Sequence, residues 1–361
     1  MFFIVALALY FGGYAYAVWR TITGLSLKNP YALYVIIAAA VISVTALLSF
    51  VATRKSFPLM SVLGPFGYVC MGALGITVTF FVINDIINLP NLFFKFKNFR
   101  FYSTAATLAL AVLAVIWSLI NVGCVLKVTK VNIKVPDLPS DSLRIVLLAD
   151  LHITAYTNPQ TLINIFDKAA SLNPDIIIIA GDVVDTDLNK NDKFLNYGFE
   201  RLEAPFGVYA VTGNHEYYAG VKPFLEMFKK LNIKVLQNEN VYIDGLINIS
   251  GINDINYADR ESIKKALSTD APRYPTLFIS HRPESFDAAS SLRRNIVQLS
   301  GHTHAGQIPP VEIVRRFFMK YNYGIYENNG SKMYITSGTR FWGPPMRLFN
   351  FSEIALITLE K

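Results

Sequence analysis

The first third of this chain is nearly free of charge where it is apolar, and that restricts its fold more than any motif does. Residues 1–19, 31–52, 60–83 and 103–125 contain no Lys, Arg, Asp or Glu. Each approaches or exceeds the roughly 20 residues that carry a helix across the hydrocarbon core of a bilayer. The pattern predicts four transmembrane helices in a membrane region over residues 1–126. A cleaved signal peptide is the competing reading of the first stretch, but there is no basic segment ahead of it, no small-residue cleavage site, and three further spans follow.

Charge divides the chain in the same place. Up to Lys130, nine Lys/Arg stand against Asp85 alone, giving +8, while the remainder carries 24 basic and 25 acidic residues, giving −1. The basic character therefore belongs to the apolar part, where membrane lipids are the expected partner. The nearly neutral second part has no Lys/Arg stripe interleaved with aromatics, so nucleic acid is not an expected partner. Cys70 and Cys124 both lie in predicted spans, so a metal held by the rest of the chain must be held by nitrogen and oxygen.

Basic residues flanking the spans tie at five on each side, Arg54, Lys55, Lys127, Lys130 and Lys134 against Arg20, Lys28, Lys95, Lys97 and Arg100. Arg20 directly after the first span and the dense cluster at residues 95–100 in a short loop favour the second set as cytoplasmic. An even number of spans then leaves the later domain extracytoplasmic, in a multi-pass cell membrane protein.

Residues 127–142 read as an extended linker containing Pro136-Asp137-Leu138-Pro139. From 143 to 361 strand-like and helix-like segments alternate. Strands are expected at 144–149, 175–180, 208–212, 276–280 and 295–300, helices at 161–172 and 223–231, and mostly β structure from 333 to 359. Some 220 residues of mixed α/β pattern suffice for an independent core.

All five histidines fall in this second part, within short polar clusters: Asp150-Leu151-His152, Gly213-Asn214-His215-Glu216, Ser280-His281-Arg282 and Gly301-His302-Thr303-His304. Three of these clusters, and also Gly181-Asp182-Val183-Val184-Asp185, directly follow apolar β-branched runs. That places their side chains at the carboxyl ends of buried strands, the edge where open α/β sheets carry their chemistry. Asp150 and His152 offer an oxygen and a nitrogen from positions two apart, which share a face in an extended segment. Asp182 adds a carboxylate whose two oxygens can bridge two cations, Asn214 a neutral oxygen, and His281, His302 and His304 further nitrogens. Seven N/O ligands exceed one tetrahedral shell and suit two borderline divalent ions, Mn, Fe or Zn. His215 is left for proton donation as a general acid, with Asp185 available to orient its ring. The competing reading places His215 in the metal shell and makes Asp185 a turn residue.

In this order the clusters resemble the signature of the calcineurin-like metallophosphoesterase superfamily, over the last ~220 residues, and most closely its bacterial membrane-anchored branch through Gly301-His302-Thr303-His304-Ala305-Gly306-Gln307-Ile308 and the late Pro345-Met346-Arg347. That branch often has Gly-Gly-Gln where Ala305-Gly306-Gln307 stands here. The resemblance implies a four-layer α/β/β/α sandwich preceded by the four-helix transmembrane region. It also implies a dinuclear site with Asp150, His152, Asp182 and His304 on one ion and Asp182, Asn214, His281 and His302 on the other, His215 as acid and Asp185 behind it. Its protein-phosphatase branch has arginines where Thr186 and Thr212 stand, which argues against protein substrates.

The implied reaction is metal-assisted hydrolysis of a phosphate ester. Arg282, Arg340 and Arg347 are candidate phosphate clamps, with Arg347 favoured. Aromatic and basic residues at 311–320, with Phe341-Trp342, suggest a phospholipid or lipid precursor as substrate. Soluble phosphomonoesters or cyclic nucleotides are the alternative, and a non-catalytic metal-stabilised scaffold is a third reading, which retention of His215 and every ligand position disfavours.

Overall fold

In a computed structural model, which describes residues 2–53, 60–154, 157–185 and 197–361, the charge-poor start of the chain and the strand-rich remainder separate into two units. The first contains the residues up to Val125 together with two later segments, Gly306–Val314 and Gly343–Phe349. Its long helices are Phe2–Gly24, Tyr31–Thr53, Met60–Asn88 and Phe99–Cys124. Among the described residues, three helices are long and apolar enough to cross a bilayer: Tyr31–Ser49, Gly64–Asn88 and Phe99–Cys124. The expected four spans are therefore corrected to three. Phe2–Gly24 is also helical and carries Arg20 in its last turns. Arg20 pairs with Asp85, whose Oδ2 also accepts the Tyr16 hydroxyl at 2.7 Å, so the one acid of the first 130 residues is neutralised inside this unit.

The later of these segments, Gly343–Phe349, is held to the helices by directed bonds. Trp117 Nε1 donates to Leu348 O at 3.1 Å, Asn121 Nδ2 to Arg347 O at 2.9 Å, and the Arg347 amide to Ser118 O at 3.2 Å. Ile76, Ala114, Met346 and Leu348 bury one another alongside. Arg347 is fully buried here.

The second unit is built on twelve strands: β1 Leu126–Lys134, β2 Ser142–Leu148, β3 Ile176–Ala180, β4 Val208–Val211, β5 Lys234–Val235, β6 Glu239–Ile243, β7 Ile247–Gly251, β8 Thr276–Ile279, β9 Ile296–Ser300, β10 Gly324–Asn328, β11 Ser331–Ile335 and β12 Ser352–Glu360. They form two six-stranded sheets, ordered β1-β12-β2-β3-β4-β5 and β10-β11-β9-β8-β7-β6. The stretch expected as a linker is extended, but over Leu126–Lys134 it is an edge strand, paired in parallel with β12 from Leu126↔Ser352 to Lys134↔Glu360. A run such as Ile176-Ile177-Ile178-Ile179-Ala180, buried throughout, requires apolar cover on both faces of its sheet. On one face Ile145, Leu147, Ile176 and Ile178 pack with Ile249, Leu277, Ile279, Val297 and Leu299 of the other sheet. On the opposite face Val146, Leu148, Ile177 and Ile179 pack with Leu162 and Phe166 of helix Pro159–Ala170 and with Phe224 and Phe228 of helix Val221–Lys230. In the second sheet, Phe278 and Ile296 pack with Ile263 and Leu267 of helix Arg260–Leu267 and with Ala289.

Strands β2, β3, β4 and β5 run parallel, as do β7, β8, β9 and β11. Successive loops therefore leave each sheet at a common edge. One buried carboxylate secures the carboxyl-terminal part of this framework. Glu353 Oε1 accepts from Tyr334 Oη at 2.9 Å, Thr336 Oγ1 at 2.7 Å and the Ser337 amide at 3.0 Å, while its Oε2 accepts from Thr129 Oγ1 at 2.6 Å and Tyr323 Oη at 3.0 Å. Glu353→Ala leaves these donors unsatisfied in the interior and is expected to cost about 3–5 kcal/mol in chemical denaturation. A loss below about 1 kcal/mol, the value of a surface contact, would remove Glu353 from this structural role.

Candidate metal centre

The segments that follow β2, β3, β4, β8 and β9 carry Asp150 and His152, Asp182 and Asp185, Asn214 and His215, His281, and His302 and His304 respectively, with Asn214 and His215 opening the short helix Asn214–Ala219. Asp150 and His152 lie beyond the end of β2, with φ of 57° and 43°. They reach one site through left-handed backbone, which corrects the expectation that pleat alternation aligns them. Asp182, His302 and His304 share that conformation, at φ 51°, 70° and 51°. Such backbone is unfavourable for residues with a Cβ and persists where surrounding structure enforces it, as at functional sites.

Glu216 supplies much of that enforcement, and its role was not visible from sequence. Its carboxylate accepts the amides of Asp182 at 3.0 Å, Val183 at 2.7 Å, Val184 at 3.1 Å and Gly213 at 2.7 Å, tying the β3 loop to the β4 loop. Burial, followed by the charge of Asp182, pushes its carboxyl up to about 7. The motif Gly213-Asn214-His215-Glu216 did show an acid at this position; its contacts depend on a loop distant in sequence. The motif glycines answer to close approach: a Cβ on Gly213 would meet Asp182 Oδ1 at 2.1 Å, and one on Gly301 would meet Asp150 Oδ2 at 2.6 Å.

Two clusters have the dimensions of cation sites, Asp150 with His152 and His304, and Asp182 with His281 and His302. In the first, His152 Nε2 and His304 Nε2 are 3.1 Å apart, and Asp150 Oδ1 lies 3.9 and 3.6 Å from them. Two imidazole nitrogens on one tetrahedral ion, with bonds near 2.0–2.1 Å, would be about 3.3 Å apart. In the second, His281 Nδ1 donates to Ala180 O at 2.8 Å, which directs its buried Nε2 at Asp182 Oδ2, 3.0 Å away. A nitrogen lone pair facing a carboxylate requires a proton or a metal ion. Asp182 Oδ2 is also 3.9 Å from His152 Nε2, so this carboxylate stands between the two clusters, as a bridging ligand must. Asn214 Oδ1 joins the second cluster through Arg282, whose Nη2 reaches it at 3.1 Å and whose Nη1 reaches His302 Nε2 at 3.0 Å. The donor set fits divalent ions held by nitrogen and oxygen.

Burial shapes the electrostatics. It opposes charge on His281, but the Asp182 carboxylate overrides it and lifts the imidazole to about 10. His152 likewise rises to about 9, with Asp185 outweighing burial. Burial raises Asp150, whereas the neighbouring imidazoles hold Asp182 well below the usual carboxylate range. His302 is driven down to about 2 by burial and by the positive charges of His281 and Arg282, which keeps it neutral.

His215 lies beside both clusters. Its Nδ1 is 2.7 Å from Asp185 Oδ1, the same oxygen that meets His152 Nδ1 at 2.7 Å, and its Nε2 is 3.9 Å from Asp182 Oδ2. The contact expected between Asp185 and His215 is present; the shared contact with His152 is an addition. A geometric grouping of His152, Asp185 and His215 also exists, but Asp185 faces the Nδ1 atoms, the side of each ring away from Asp182. Of the remaining arginines, Arg282 is anchored to buried Asp254 at 2.7 Å, and Arg340 Nη1 donates to Leu151 O at 2.7 Å and His152 O at 3.2 Å, bracing the β2 loop. Thr186 lies outside the described residues. Thr212 is buried, with Oγ1 3.5 Å from Asn253 Oδ1.

The chain is similar in sequence to known proteins. Residues 143–306 match the family model of the calcineurin-like phosphoesterases. Across 70% of this chain and 69% of its own length, an uncharacterized metallophosphoesterase of Campylobacter jejuni is 32% identical. An uncharacterized metallophosphoesterase of Helicobacter pylori is 33% identical over 60% of each chain. A zebrafish protein described as a transmembrane protein with metallophosphoesterase domain is 30% identical over 72% of this chain and 63% of that one. The chain thus spans about 60% of the length of the Helicobacter relative it matches. It belongs to the calcineurin-like metallophosphoesterase family.

The raised groups set the sign of proton linkage. At neutral pH the metal-free site holds protons on His152 and His281, and an incoming cation must displace them. Metal affinity should therefore climb as pH rises toward about 9–10, the range of the two histidines, and fall in acid. Calorimetric titration of stripped protein with Mn²⁺ or Zn²⁺ at pH 7, in two buffers of different ionisation enthalpy, should show net proton release. Identical heats in both buffers would contradict this electrostatic account.

Proposed function

We propose that the chain is a membrane-anchored, metal-dependent phosphoesterase in which Asp182 is shared between two divalent ions and His215 is the general acid. The observation that carries this reading is the position of Asp182 Oδ2, 3.0 Å from His281 Nε2 and 3.9 Å from both His152 Nε2 and His215 Nε2. Asp150, His152, Asp182 and His304 would hold one ion, and Asp182, Asn214, His281 and His302 the other. The bound ions would supply an acidified water and positive charge for the phosphoryl oxygens. Asp185 fixes the His215 ring through Nδ1, leaving Nε2 to carry a proton toward the departing alkoxide. The core clusters on both faces of the sheets support a four-layer α/β/β/α arrangement for the domain.

A lipid or lipid-precursor substrate is supported by apolar surface near the acid. The rings of Trp342 and Tyr218 stand 6.0 and 5.5 Å from that of His215, and both are exposed. Phe317 and Phe318 are 73% and 79% exposed, an unusual cost in water unless an apolar phase or ligand covers them. Relatives described as transmembrane proteins support the anchoring role of the helices. Correcting the spans to three leaves the proposed extracytoplasmic placement intact, because Phe99–Cys124 alone separates the basic cluster at residues 95–100 from the catalytic domain. A reporter that works only in the cytoplasm, fused after Lys361, should stay silent, and activity from it would place the domain inside.

His215→Ala should keep its metal content by elemental analysis yet lose roughly 10²- to 10⁴-fold in turnover on alkyl phosphates, and less on activated aryl phosphates. Loss of metal in this variant would move His215 into the ligand shell. A panel of detergent-dispersed phospholipids, nucleotides and aryl phosphates, offered to metal-loaded protein, tests the substrate class. Turnover confined to soluble esters would reject the lipid assignment, and no turnover of any phosphate ester would reject the enzymatic one.

A further inference from the structure

Arg315 lies on helix Val311–Phe318 and carries two buried nitrogen atoms, Nε and Nη2, with no hydrogen-bond partner among the described residues. These two atoms form the side-on edge of the guanidinium, whose parallel N–H bonds match two oxygens of one carboxylate or phosphoryl group. Leaving both donors unsatisfied away from water is costly for a charged group. The charges acting on Arg315 are those of Glu284, Asp150 and Arg282, and Arg315 in turn acts on His302, so it lies within the electrostatic reach of both cation clusters. Two further arginines in this neighbourhood are already bound, Arg282 through Nε to Asp254 and Arg340 through Nη1 to Leu151 O.

We infer that Arg315 is a substrate-positioning residue whose side-on edge receives terminal phosphoryl oxygens, and that it selects phosphomonoesters over phosphodiesters. This rests on the phosphoesterase reading and supplies what that reading lacks, the class of ester. A monoester phosphoryl has three terminal oxygens and can serve both the cation site and a two-donor fork. A diester has two, and carries one negative charge less. The inorganic phosphate released from a monoester keeps the same oxygens and should bind the same fork.

The test uses full-length, metal-loaded protein with Arg315→Ala, Arg315→Lys and, as control, Arg316→Ala on the exposed neighbour. Inorganic phosphate is titrated calorimetrically, and kcat/KM is measured on p-nitrophenyl phosphate and bis(p-nitrophenyl) phosphate. Arg315→Ala should keep its metal, weaken phosphate binding roughly 10- to 100-fold, and lose about as much on the monoester while changing less than about threefold on the diester. Arg315→Lys keeps the charge without the fork and should fall between, which also guards against a folding defect in the alanine variant; Arg316→Ala should match wild type. Unchanged phosphate affinity in Arg315→Ala, even with a lowered Tm, would overturn the assignment, as would equal losses on both esters or loss of metal. Phosphate binding that depends on Arg315 in a protein that hydrolyses no ester of the lipid, nucleotide and aryl panel would refute the enzymatic reading and leave the anion site standing.

Discussion

Two carboxylates withdrawn from water beside one another set the terms for the rest of the catalytic unit. Asp150 is fully buried and Asp182 is 2% exposed, and Glu216 adds a third carboxyl group with no exposure at all. Isolated charges in such surroundings are prohibitively costly, so they persist only where protons, imidazolium groups, backbone dipoles or metal ions compensate them. Each of the three has a different solution. Glu216 is surrounded by four backbone amides, Asp182 faces imidazoles, and burial raises Asp150. The left-handed backbone at Asp150, His152, Asp182, His302 and His304 is the conformational counterpart of the same demand. It turns short loops sharply enough to bring groups from five strand ends to one place, and the buried sheets beneath hold the turns.

How much of this was legible follows from which interactions are local in sequence. The strand ends were readable because β-branched runs such as Ile176–Ala180 stop at a polar cluster, and the candidate ligands stood out because five histidines fall in four such clusters. Glu216 was visible as a letter in its motif, but its function depends on the amides of residues 182–184, over thirty positions away. The strand Leu126–Lys134 escaped notice because its partner, Ser352–Glu360, is more than two hundred residues distant and its own sequence alternates weakly. The backbone bonds of Arg347 were hidden for the same reason: a lone arginine near the end of the chain gives no sign that Ser118 and Asn121 will meet its amide and carbonyl. The count of spans failed differently. Absence of charge over residues 1–19 does not by itself make a span, and Arg20 follows directly inside the same helix.

Asp185 shows why single residues in this centre resist separate roles. One oxygen, Oδ1, lies 2.7 Å from Nδ1 of both His152 and His215. These imidazoles, together with the burial they offset, hold the Asp185 carboxyl down at about 2. A carboxylate hydrogen-bonded to the remote nitrogen of a metal-binding histidine fixes its tautomer and raises its basicity, and the same contact on a general acid fixes the direction of its proton. Asp185 therefore couples the proposed ligand His152 to the proposed acid His215, whose rings stand 4.7 Å apart at 84°. Removing the carboxylate would disturb metal affinity and proton donation together, so a loss of turnover in that variant alone could not be assigned to either. Separating them requires a double-mutant cycle between Asp185 and His215 at saturating metal: with the ion site filled, the coupling that remains is the contribution of Asp185 to the acid.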